Sequence, residues 1–128
     1  MTEEEANQIL DTANFLLMWF PHELPQYKAH KNFKRKPYFR AKFIDNRKVF
    51  FNIIQDKYRN LNKRDKARRY EIILHLREIL GKEMPLKQGA IYTYKTIKNG
   101  QHFILVIKDI QRKKRKELYL FALYPIKK

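Results

Sequence analysis

One stretch of this chain gathers side chains that could move a proton at a phosphate. On a helical wheel Arg68, Glu71, His75 and Glu78 fall on one arc, opposite the apolar arc of Ile72, Ile73, Leu76, Ile79 and Leu80. An imidazole beside carboxylates has a pKa near neutrality and can act as acid or base, while a guanidinium can hold the developing charge. The alternative is a salt-bridged solvent face that happens to contain a histidine. Arg77 sits within the apolar arc, where an unpaired guanidinium is costly, so it must snorkel, find a carboxylate or point into a site. Tyr124, at the end of an apolar run, could stack on a base or simply pack.

Other chemistries are poorly supplied. The chain has no cysteine, which removes disulfides, thiolate zinc sites and cysteine nucleophiles and fits a reducing, cytoplasmic setting. His22, His30 and His102 show no metal-ligand spacing such as HExxH, and no P-loop, nucleotide fingerprint or serine elbow is present, so no cofactor or metal is expected.

Charge is the strongest signal. The 29 Lys and Arg outnumber 13 Asp and Glu, giving +16, and all the basic residues lie at Lys28 or beyond. Such a balance costs stability through self-repulsion, and a polyanionic partner that releases condensed counterions compensates it. Between residues 28 and 44 seven cations occur without an acid, among them Lys31, Lys34, Arg35, Lys36 and Arg40, interleaved with Phe33, Tyr38, Phe39 and Phe43. Lys and Arg bind phosphates, and aromatic faces stack on unpaired bases. A second cluster, on the helical hairpin, is Lys57, Arg59, Lys63, Arg64, Lys66, Arg68 and Arg69, and a third is the run Arg112-Lys113-Lys114-Arg115-Lys116. Nucleic acid is the expected partner, RNA favoured over DNA, with an acidic protein surface as the other candidate. No helix-turn-helix, RNA-recognition signature or zinc finger accompanies the charge, so sequence-specific readout has no support.

The elements that must position these residues follow from periodicity. With 128 residues, 44% hydrophobic and 14% aromatic, the chain suits one domain over 1–128. Residues 1–20 predict an acidic helix, capped by Thr2 with Glu5 in a capping box and buried through Ala6, Ile9, Leu10, Ala13, Leu16 and Leu17. Its apolar run 15–20 is too short to cross a bilayer, the start lacks the cationic region of a signal peptide, and no membrane partner is expected. Residues 28–44 read as an irregular segment followed by a short extended piece or a helical turn. Residues 46–80 predict a helical hairpin, its second helix closed by Gly81 in a left-handed cap. Residues 90–124 predict an antiparallel sheet: a strand over 90–97, the hairpin turn Asn99-Gly100, a strand over 102–109 and a third over 117–124 ended by Pro125. The strand over 102–109 is apolar on both faces and belongs in the middle of a covered sheet. The expected fold is therefore α+β, N-terminal helices followed by an antiparallel meander of three to four strands, with 37–44 the candidate for the fourth.

Helices, then a meander, then a last strand of the form Phe121-Ala122-Leu123-Tyr124-Pro125, an aromatic followed at fixed spacing by Tyr-Pro, resemble the barnase–EndoU–colicin–RelE group of small ribonucleases over residues ~62–126. The group includes toxin–antitoxin and phage members. The resemblance implies metal-independent endoribonuclease chemistry, with His75 in acid–base catalysis, Arg77 or Arg68 on the phosphate and Tyr124 positioning substrate. A non-catalytic nucleic-acid-binding protein, such as a mobile-element factor acting on a host nucleoprotein, satisfies the same charge.

Overall fold

A computed structural model describes residues 1–19, 38–112 and 115–126. The elements in order are α1 (Glu3–Trp19), β1 (Tyr38–Ala41), β2 (Arg47–Phe50), α2 (Asn52–Lys57) and α3 (Lys63–Tyr70). A 3₁₀ turn (Glu71–His75), α4 (Leu76–Lys82), β3 (Leu86–Gln88), β4 (Ile91–Lys98), β5 (Gln101–Arg112) and β6 (Arg115–Ile126) follow. The class is α+β as expected. The sheet is larger than a meander and mixed: its order is β1-β2-β6-β5-β4-β3, and β2 runs parallel to β6.

The expected first helix of the 46–80 hairpin is replaced by β2 and the short α2. Asp45 and Asn46 both take left-handed conformations (φ 52 and 54), which turns the chain back at once and pairs Arg47–Phe50 with β1. Val49, Phe50, Ile53 and Ile54 fit a helical period, but over four residues Arg47–Phe50 fits alternation equally well. Pairing with β1 and β6 decides the matter. The same pairing gives the 28–44 segment its extended piece, β1; residues 28–37 lie outside the described residues. The second helix is not continuous, because the 3₁₀ turn Glu71–His75 divides it into α3 and α4. Gly81 lies inside α4, which closes on an extended Glu83; the left-handed glycines are Gly89 and Gly100. Pro125 does not end β6. It pairs opposite Phe103 near the strand's end, where β6 has no second strand beside it among the described residues and a missing N–H is tolerated.

Local signals that require one conformation are realised. Thr2 Oγ1 accepts from the Glu5 amide at 3.1 Å while Glu5 reaches back to the Thr2 amide. Asn99 (φ 52) and Gly100 (φ 77) make the tight turn between β4 and β5, the conformation that a two-residue hairpin of this twist demands. The α1 residues Ala6, Ala13 and Leu17 are buried as expected, and Glu3 pairs with Lys63 of α3 at 3.5 Å.

One face of the sheet carries the core. Phe39, Ala41, Val49, Tyr94, Phe103, Leu105, Ile107, Leu118, Leu120 and Leu123 project from it against Leu17 of α1, Ile54, Tyr58, Tyr70, Ile72, Ile73, Leu76, Ile79 and Leu80. Arg47 and Asp109, on the same face, reach across β6 in a two-pronged ion pair (2.9 and 3.2 Å), and Arg47 also donates to the Lys116 carbonyl. That contact fixes β2 beside β6, where only Val49–Leu118 and Phe50–Tyr119 are in register. No described helix is long and apolar enough to cross a membrane.

Candidate nucleic-acid interface

Strand alternation sends the partners of the core residues to the other face of the sheet. From β1 and β2 come Tyr38, Arg40, Lys48 and Phe50; from β5 come His102, Ile104, Val106 and Lys108; from β6, Tyr119, Ala122 and Tyr124. Lys95 and Ile97 continue the face on β4. Tyr119 and Ala122 are buried; the rest of these side chains are half-buried or exposed. No described helix contributes to the core through this face.

A bulge governs the centre of the face. Val106 stands opposite Ala122 and Ile107 opposite Leu120, so Phe121 has no counterpart on β5. Both Leu120 and Leu123 thereby reach the core, and the extra residue is presented to the outer side, where the Lys108 Nζ lies 3.6 Å from its ring centre. The Lys57 Nζ lies 4.2 Å from the same centre and donates to the Phe121 carbonyl.

Lys57 arrives there because α2 and α3 run along the free edge of β6, beyond the short β2. The Tyr58 hydroxyl donates to the Leu123 carbonyl and accepts from the Leu123 amide, both at 3.1 Å, as a neighbouring strand would. Arg69 Nη1 donates to the same carbonyl at 3.2 Å, and its guanidinium lies over the Tyr58 ring. The edge is thus sealed by side chains rather than left to pair with another chain.

The electrostatics of this corner are one-sided. Burial lowers the Lys57 pKa, and the Lys108 and Arg69 charges lower it further. Among the described residues no carboxylate pairs with Arg40, Lys48, Lys57, Lys95 or Lys108; the ion pairs are made by other basic residues. Nearer the edge, Lys48 lies 4.9 Å and Arg40 6.0 Å from the Tyr38 ring centre, while Tyr38 meets Phe50 edge-on at 6.0 Å. Phe50 in turn packs on Tyr119, whose hydroxyl donates to Glu117. Cations held over rings, with no acid among the described residues to neutralise them, can take phosphate oxygens while the rings take apolar surface.

The residues expected to act together as a catalytic set are separated. His75 and Arg77 lie on the helical layer beside a shallow depression lined by Leu74, His75, Arg77, Glu78, Gly81 and Lys82. The 3₁₀ turn shifts the helical phase, and Arg77 is exposed rather than set in the apolar arc. Glu78 pairs with Lys98 of β4 at 3.3 Å, which Glu83 also approaches. Tyr124 stands opposite Ile104 on the far face of the sheet. No group of three or more potential metal ligands occurs among the described residues.

The expected nucleic-acid contacts divide in the same way. Arg40 belongs to the outer sheet face and donates to the Asn46 carbonyl. Arg64 and Arg68 are exposed on α3, with Arg68 3.7 Å from Asp65. Arg112 and Arg115 are register partners at the ends of β5 and β6. Lys31, Lys34, Arg35, Lys36, Lys113 and Lys114 lie outside the described residues. The residues that sequence reasoning left out of the site are Lys48, Phe50, Lys108 and Phe121, with Lys57 read only as part of a helical cluster. Lys48, Phe50, Lys108 and Phe121 share one signal, alternation that puts lysine and aromatic on one face of adjacent strands, but reading it requires the pairing of β2, β5 and β6. No family model, curated protein or solved structure matches the chain.

Proposed function

We propose that the protein binds nucleic acid on the outer face of its sheet. The observation that carries this reading is the set of cations, Lys48, Lys57, Lys108 and Arg40, placed over Tyr38 and Phe121 with no carboxylate partner among the described residues. A fold with a formal charge of +16 maintains that arrangement against its own repulsion, and phosphates relieve it. RNA is the favoured target. The protein acts here as a binder: His75 and Arg77 on one layer and Tyr124 on the opposite face of another do not address a single phosphate, so cleavage by that trio has no geometric support. The test is a binding titration of wild type and the Lys57→Met/Lys108→Met double variant on RNA and DNA oligonucleotides. Weakened binding in the variant supports the sheet face, and undiminished binding rules it out.

A further inference from the structure

The composition of the face selects among nucleic acids. We infer that its ligand is single-stranded, with bases laid on Tyr38 and Phe121 and phosphates held by Lys48, Lys57 and Lys108; this rests on the sheet-face reading above.

Width is the first reason. Six strands at about 4.8 Å spacing make a surface roughly 24 Å across, whereas a major groove about 12 Å wide admits a helix or a two-stranded ribbon. A duplex could therefore meet this sheet only through its phosphate ridges. The surface is not suited to ridges alone, because Ile97, Ile104, Val106 and Tyr124 lie among the cations and are half-buried or exposed. Phosphates set down on such apolar ground would lose water without gaining partners. Unpaired bases present apolar faces that suit it.

The second reason is how closely charge and ring are coupled. Both lysine ammoniums at Phe121 lie within 4.2 Å of its ring centre, and Lys48 lies 4.9 Å from that of Tyr38. A phosphate that draws either ammonium off the ring frees the ring face for a base of the same strand. In a duplex that base is stacked and paired and cannot follow. Because of the bulge Phe121 has no counterpart on β5, so its ring shares the outer side with Lys108 rather than with a paired side chain. Tyr38 and Phe121 are separated laterally by two strand spacings, β1 to β2 to β6, about 10 Å, which one extended strand can span with its bases unstacked.

The experiment compares a 12-nucleotide RNA of mixed sequence, the same sequence as DNA, and the duplex of each, by fluorescence anisotropy at fixed salt. Phe121→Ala and Tyr38→Ala are measured alongside, with urea denaturation to show that each is folded. The expected result is single-strand binding at least tenfold tighter than duplex binding, reduced at least fivefold by one or both ring substitutions. Duplex binding as tight as single-strand binding overturns the inference and leaves the sheet-face reading standing, as does single-strand affinity indifferent to both rings in folded variants. Failure of wild type to bind any of the four ligands overturns both.

Discussion

Removing one oxygen atom from Tyr58 should measure how the free edge of β6 is held. In Tyr58→Phe the ring keeps its edge-on contact with Tyr70 and its place under Arg69, so packing is preserved. What goes is the hydroxyl that both donates to and accepts from Leu123. The Leu123 carbonyl retains Arg69, but the Leu123 amide loses its partner in a place where Tyr58 is 5% exposed and Leu123 fully buried. An orphaned buried amide costs about 1–3 kcal/mol, so destabilisation of about 2 kcal/mol is expected. With a urea m-value of about 2 kcal/mol/M, the midpoint should fall by roughly 1 M with m unchanged. Chemical denaturation followed by circular dichroism reads this directly. A loss below about 0.5 kcal/mol would refute the claim that the hydroxyl stands in for a strand at this edge.

The Arg47–Asp109 pair should make stability depend on acid in a predictable direction. The hydrogen bonds from Arg47 hold the Asp109 carboxyl below its ordinary range, so its contribution is present above the unfolded pKa near 4 and is lost as pH falls through the lower folded value. Asp109→Asn should cost about 1–2 kcal/mol at pH 7, discounted for partial exposure, and should flatten the fall in stability below pH 4; equal acid sensitivity in both proteins would count against the pair. A second expectation concerns chemistry: RNA incubated with wild type in EDTA should remain full length. Cleavage that disappears in His75→Ala would return the enzyme reading to the helical layer.

Legibility in the sequence followed the range of the interactions. The Thr2–Glu5 box and the Asn99-Gly100 turn are decided by neighbouring backbone and were readable. β5 was readable because Phe103, Leu105 and Ile107 alternate with Ile104 and Val106, which also placed it inside the sheet. β2 was not, because four residues satisfy two periods and the strand that selects between them begins at Arg115. The site failed to show for a related reason. Leu118 and Leu120 set a phase in β6 that turns Phe121 outward, beside Lys108, whereas Leu123 sets the opposite phase, which would turn it inward; the bulge reconciles the two. The charge itself was plain from composition, whereas its distribution between the α3 surface and the sheet face depends on tertiary pairing.

The salt dependence of single-strand binding tests the central claim most directly. Each phosphate neutralised on a single strand contributes about −0.7 to the slope of log affinity against log salt. Wild type should show a steep negative slope, and Lys57→Met/Lys108→Met, which removes two phosphate contacts at Phe121, should make it shallower by about 1.4. A slope unchanged by the double substitution, or wild-type binding indifferent to salt, would contradict nucleic-acid binding on this face.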